Sequence, residues 1–131
     1  MVINFNPKYI PGDIVYNHKK EIIRITSSYL KGTKLFYYRD GNYGWIREDA
    51  IKPIPLTPEI LEKNGWEIVS CRDGKEIYTR GGTYRFTRLI NINSFYLDGA
   101  RYNTTGQWLI KYVHELQHHL WVLGINDNME V

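Results

Sequence analysis

The stretch KLFYYRDGNYGWIR, residues 34–47, decides the fold. Lys34 to Arg39 is dense in aromatic residues, which suit the half-buried surface of a pleated strand. Asp40-Gly41-Asn42-Tyr43-Gly44 interrupts it with turn formers and reads as a loop, and Trp45-Ile46-Arg47 resumes as the returning strand. Towards the N-terminus, Pro11-Gly12-Asp13 is a turn and Ile14-Val15-Tyr16 a short strand. Asn17 to Lys20 is a polar turn, and Glu21 to Thr26 is the hairpin partner of the first strand. Beyond residue 47, Ala50 to Ile54 is expected as a fifth strand, ended by Pro53 and Pro55, which suit an edge or a strand end. Five short strands in about 45 residues imply a small, strongly bent β-barrel over residues 1–56.

A helix follows. Thr57 is an N-cap residue, Pro58 fits the first helical position, and Gly65 is a stop. Ile60, Leu61 and Trp66 are expected to fasten this short linking helix to the core. Next come strands over Glu67 to Cys71, Lys75 to Arg80, Thr83 to Ile90 and Ser94 to Asp98, with a last one near Arg101 to Thr104. Asp73-Gly74, Gly81-Gly82 and Gly99-Ala100 separate them as hairpin turns, so the segment reads as an antiparallel meander. A C-terminal helix is expected from Leu109 or Tyr112 to Leu123, with Gly124 as its stop. Leu109, Tyr112, Val113, Leu116, Leu120 and Leu123 recur at steps of three and four, which gives one apolar face to lie on the meander. The fold class is thus α+β: an N-terminal small barrel over 1–56, then helix, antiparallel sheet and covering helix over 57–131. Whether the two parts share one core stays open.

Composition sets outer limits. The chain has 131 residues, 43% of them apolar and 15% aromatic, including 11 Tyr. Its mean hydropathy of −0.44 is that of a globular protein. No apolar run approaches the ~20 residues of a membrane span, and Met1 to Tyr9 lacks the apolar stretch of a signal peptide. Cys71 is the only cysteine, which excludes a disulfide framework and makes the cytoplasm the expected location. The net charge of +3 divides unevenly: nine Lys/Arg against five Asp/Glu in residues 1–56, and eight against nine in 57–131. A basic first half suits a polyanionic partner, and equally a solvated surface.

His114-Glu115-Leu116-Gln117-His118 matches the His-Glu-x-x-His pattern of zinc peptidases. There, two His one helical turn apart hold zinc and the Glu activates its water. His114 and His118 are therefore the metal candidates. The helical wheel counts against zinc. It sets His118 nearly opposite the Leu109/Leu116/Leu120 stripe and His114 on its flank, so both are expected to face solvent. No third ligand is announced upstream. His119, nearer the stripe, is expected to pack inside.

Pro11-Gly12-Asp13-Ile14-Val15-Tyr16, then Ile51 to Leu61, then Lys111-Tyr112-Val113-His114-Glu115-Leu116-Gln117 resemble a family of small uncharacterised proteins. Its members occur in gut Bacteroidales-type bacteria, their phages and their mobile elements. The resemblance implies an accessory protein of a phage or mobile element, and it assigns no activity, cofactor or functional residue. The family's C-terminal pattern, Tyr-Val-His-x-Leu-Gln-x-Leu, often has Gln at the position of Glu115 and Asn at that of His118. This implies a docking helix rather than a zinc site. The insertion-like, Arg-rich hairpin Arg72 to Arg88 departs from the family. Separately, residues 1–56 resemble the Src-homology or KOW type of small barrel, whose members bind proteins, nucleic acid or nothing.

Three functions follow from these residues. The first is a non-catalytic binding module with a protein or nucleic-acid partner, contacted through Lys34, Tyr37, Arg39, Tyr43, Trp45 and Arg47. Aromatic rings there would stack on bases while Lys and Arg meet phosphates. Tyr37 and Tyr38 must point to opposite faces of their strand, so half of these aromatics belong to the core. The second is sequestration of a host factor or small signalling nucleotide, gripped by Arg80 and Arg85 with Arg72 and Arg88 around two Gly turns. The third is the zinc metallohydrolase. No Gly-x-Ser-x-Gly elbow or phosphate-loop pattern supports another enzyme class.

Overall fold

The computed structural model describes residues 9–28, 34–80, 84–98, 107–122 and 129–131. It is mostly antiparallel sheet with two short helices, an α+β protein. Strands β1 (Ile14–Tyr16), β2 (Ile22–Ser28), β3 (Lys34–Arg39) and β4 (Asn42–Arg47) form one sheet in chain order. Strands β5 (Glu67–Arg72), β6 (Lys75–Arg80), β7 (Tyr84–Leu89), β8 (Ser94–Asp98) and β9 (Gln107–Ile110) form the other, also in chain order. Helix α1 is Pro58–Lys63 and helix α2 is Val113–Val122. The turns expected at Gly81-Gly82 and Gly99-Ala100, the strand near Arg101 to Thr104, and the stop at Leu123-Gly124 lie outside the described residues.

The chain divides into two compact units. The first comprises residues 1–54 and 116–128, the second residues 55–115 and 129–131. Within the first, alternation sends Val15, Ile23, Ile25, Leu35 and Ile46 to one side, where they form an aliphatic core with Tyr9 and Ile51. The loop expected over Asp40–Gly44 is shorter than its sequence suggests. Asp40 and Gly41 both adopt positive φ (49° and 84°), the geometry of a two-residue turn, and β4 resumes at once with Arg39 opposite Asn42. The expected fifth strand is a 3-10 turn, Glu48–Ala50, followed by one antiparallel bridge in which Lys52 exchanges both backbone hydrogen bonds with Tyr16. Pro53 and Pro55 lack the N–H groups a longer ladder needs. A four-stranded sheet with one bridge is what the described residues show; they do not show a closed barrel.

The second unit opens as its sequence implies. Thr57 accepts a hydrogen bond from Ile60 N–H at 3.2 Å, Pro58 starts α1, and Gly65 closes it at φ 88°. Leu61 and Trp66 are fully buried, and Trp66 meets Phe86 edge to face at 4.8 Å. The β5–β6 turn repeats the first sheet's device, with Asp73 and Gly74 at φ 56° and 73°. Leu109 does not begin a helix. It lies in β9 and is exposed, while its neighbour Ile110 is buried. The three-and-four periodicity that seemed to include it is a coincidence of phase with the helix that follows. Nor does that helix fall wholly to the meander: from Leu116 on, its residues belong to the first unit.

Candidate functional site

Register and alternation bring seven aromatic and cationic side chains to the outward side of β2–β4, beside Ile22 and Ser27. Arg24 is opposite Tyr38, which is opposite Tyr43; Phe36 is opposite Trp45, and Lys34 opposite Arg47. Four are aromatic, three are cationic, and none is a carboxylate. Tyr43 is 78% exposed, Trp45 56% and Tyr38 40%. Lys34 Nζ sits 4.3 Å from the Trp45 ring centre and 5.9 Å from that of Phe36. Tyr38 and Tyr43 meet edge to face at 5.1 Å. At the β1 edge the same side carries Ile14, which is buried, so the exposed area is confined to β2–β4.

Of the six residues the sequence nominated, Lys34, Tyr43, Trp45 and Arg47 meet on this face. Tyr37 and Arg39 belong to the opposite side. Tyr37 packs against the aliphatic core and over Gly44, where an added Cβ would come 2.7 Å from its ring. Arg39 binds Glu21 at 2.6 Å. Glu21 also accepts from the Asn17 amide at 3.0 Å; that bond first, then Arg39, lowers its pKa below the ordinary carboxylate value. Arg24, Phe36 and Tyr38 were missed, although strict alternation from Lys34 would have found the last two. Arg47 also reaches Asp49 at 3.0 Å, an exposed pair of little energetic weight.

The arginine cluster does not converge. Thr79 faces Arg85 and Arg80 faces Tyr84 in the β6–β7 register, which puts Arg80 and Arg85 on opposite sides of the sheet. Arg88, on the core side with Tyr78 and Phe86, forms a mostly buried ion pair with Glu76 and donates to Asn93 at 2.9 Å. Arg72 is exposed at the β5–β6 turn. A single phosphate grip by these four residues is not formed.

The His-Glu-x-x-His helix is turned differently from the wheel's reading. His114 is buried, its ring stacked on Tyr112 at 5.9 Å and 13°. Glu115 Oε1 accepts from the N–H groups of Lys111 and Tyr112, both at 3.0 Å, and so caps the start of its own helix. His118 Nε2 lies 2.8 and 2.9 Å from the two oxygens of Asp13, a carboxylate 1% exposed that also accepts from Ile10 N–H. Next to it Gln117, the last residue of the C-terminal stretch quoted above, accepts from Ile14 N–H at 2.9 Å and donates to Gly12 carbonyl at 3.0 Å. Together they fasten the Pro11-Gly12-Asp13 turn to the helix. A pocket of about 220 Å³, lined by Ile10, Pro11, Gly12, Asp13, Gln117, His118 and Trp121, opens beside this clamp. Among the described residues no group of three or more His, Cys, Asp or Glu side chains gathers to hold a metal ion. No helix there is long and apolar enough to cross a membrane.

No family model, curated protein or solved structure matches the chain.

Proposed function

We propose that the protein is a non-catalytic binding module whose contact surface is the outward side of β2–β4, and that its partner is single-stranded nucleic acid. The observation that carries this is the company of side chains there: exposed Tyr38, Tyr43 and Trp45 among Arg24, Lys34 and Arg47, with no carboxylate at the outward strand positions. Rings of this kind stack on bases whatever the sequence, and cations beside them meet the phosphates. Tyr38, Tyr43 and Trp45 stand outside the core, which is aliphatic but for Tyr9 and the half-buried Tyr37 packed against it.

The Src-homology or KOW-type barrel that residues 1–56 resemble is a scaffold for such a module, and the Tyr16–Lys52 bridge supports that reading of the fold. An accessory role in a phage or mobile element, in the cytoplasm, is the setting the resemblance and the lone Cys71 favour. The hydrolase reading draws no comparable support: Glu115 is held by two backbone N–H groups and His118 by Asp13.

The test is titration of a fluorescent oligothymidylate into the protein at several salt concentrations. Neutralising about three phosphates predicts roughly twentyfold weaker binding as salt rises from ~50 to ~200 mM. The double variant Tyr43→Ala/Trp45→Ala should lose at least about tenfold in affinity at fixed salt. A flat salt response, or a double variant that binds as well as the unaltered protein, overturns the proposal.

A further inference from the structure

The β3–β4 turn fixes which way the β4 backbone faces. With two residues in the turn, Arg39 and Asn42 are a hydrogen-bonded pair, and bonded and non-bonded pairs alternate from there. Gly44 and Ile46 therefore direct their N–H and C=O groups to Tyr37 and Leu35, while those of Tyr43, Trp45 and Arg47 point away from β3. β4 is the last strand of its sheet, and among the described residues no backbone hydrogen bond reaches these three from beyond it. Such a row of N–H and C=O groups is a template for another strand. β4 also lacks the features that blunt an edge: it has no Pro, no Lys, no bulge in its register with β3, and no charge on its core-facing side. The opposite edge differs, since β1 is covered in part by the Tyr16–Lys52 bridge. The exposed Tyr43 and Trp45 leave the β4 edge open to approach.

We propose that β4 is a dimerisation edge, and that its occupant is β4 of a second copy of this chain, antiparallel across a two-fold axis at Trp45. The register argues for the second copy. With the axis there, Trp45 meets the partner's Trp45, Tyr43 meets the partner's Arg47, and Arg47 the partner's Tyr43. Every outward N–H and C=O of the three residues then has a partner, and one surface supplies both sides. Moving the axis to Gly44 sets Arg47 opposite Gly41 in the turn and leaves it unpaired. Moving it to Ile46 sets Tyr43 opposite Asp49, beyond the end of the strand. At Trp45 no like charges stand opposite each other, each guanidinium lies beside a tyrosine ring, and indole lies beside indole. On the core-facing side Gly44, with no side chain, faces the partner's Ile46, so nothing bulky obstructs the approach. A strand of six residues makes a small contact, so the dimer forms in concentrated protein and separates on dilution. The pairing needs no nucleic acid, and its success or failure leaves the β2–β4 proposal untouched.

Amide hydrogen exchange of the full chain, followed by NMR in dilute and in concentrated protein, reads the edge residue by residue. The amides of Tyr43, Trp45 and Arg47 should exchange at least about tenfold more slowly in the concentrated sample. Those of Gly44 and Ile46, already bonded to β3, should change far less. Sedimentation velocity on the same samples should show monomer passing to dimer. Because residue 45 meets itself across the axis, a second test is available. Trp45→Lys and Trp45→Glu each place like charges at the axis, so each alone should stay monomeric, and an equimolar mixture of the two should regain the dimer. A protein that stays monomeric when concentrated overturns the proposal, as does a dimer whose Tyr43, Trp45 and Arg47 amides exchange as fast as in the monomer. A dimer that both folded variants keep, or a mixture of them that does not pair, overturns it as well. Exchange in the unaltered chain decides the matter even where a variant does not fold.

Discussion

The first sheet closes on aliphatic side chains, Val15, Ile23, Ile25, Leu35 and Ile46, and leaves Tyr38, Tyr43 and Trp45 in solvent. The second sheet buries aromatic rings instead: Tyr78, Phe86 and Phe95 share its inner side with Leu97 and Ile110, and Trp66 is buried against Phe86, while Ile68, Val69 and Leu109 are exposed. Both sheets use the same Asp-Gly turn with two positive φ values, so local chain geometry does not separate them. What separates them is the phase of alternation relative to the aromatic positions. An aromatic ring inside a core contributes to stability through buried area and edge-to-face contact. One left outside a core that is already complete contributes little to folding, and its use must be sought in contact with something else.

Substituting one tryptophan from each region tests that contrast most sharply. Trp66→Ala removes a 1% exposed ring packed on Phe86 and should cost about 4 kcal/mol in urea unfolding. Trp45→Ala removes a 56% exposed ring and its cation contact with Lys34; its cost should stay within about 1 kcal/mol. Equal losses would break the distinction between a structural and a spare aromatic set.

A smaller effect sharpens the picture of the second sheet's interior. Glu76→Ala leaves the Arg88 guanidinium, 19% exposed, without its carboxylate partner and should cost about 3 kcal/mol. The matched change on the first sheet, Glu21→Ala opposite the half-exposed Arg39, should move the urea midpoint far less. Urea midpoints of the two variants, measured side by side, decide it.

The smallest effect at neutral pH becomes visible in alkali. Burial first, then the Glu76 charge, pushes the Tyr78 hydroxyl up from 10.0 to about 12. In the unfolded chain the same hydroxyl ionises near its ordinary value. The fold therefore holds this contribution in full below about pH 10 and loses it as pH rises towards about 12. Tyr78→Phe gives up a 3.4 Å hydrogen bond to Glu76, worth less than about 1 kcal/mol at pH 7. It should make the stability decline between about pH 10 and 12 shallower than in the unaltered protein. Parallel slopes would show that the buried phenol does not titrate with unfolding.

The candidate face was half legible. Alternation alone separates Tyr37 from Tyr38, and it separates Tyr43 and Trp45 from Ile46. Residue order does not say which side of a strand is covered, so Tyr37 and Arg39 were grouped with residues on the far side. The His-Glu-x-x-His pattern misled for a related reason. A helical wheel weights apolar residues, and it cannot see that the polar Gln117 and His118 meet Gly12, Asp13 and Ile14. Those partners lie 103 and 105 residues away in the chain, and no periodicity spans such a distance.

The sequence by itself determined what is local: the capped start of α1 at Thr57-Pro58, the Asp73-Gly74 turn and the antiparallel order of the strands it joins. These follow from the φ preferences of Gly, Pro and Asp and from one residue's hydrogen bond to a near neighbour. Only the tertiary structure decided that Leu109 is a strand residue, that Arg80 and Arg85 part company, and that an Asp13 buried in a turn takes His118 from a distant helix. It also decided which aromatic rings stay outside. Burial is a property of what packs against a side chain, and that partner is set by the path of the whole chain.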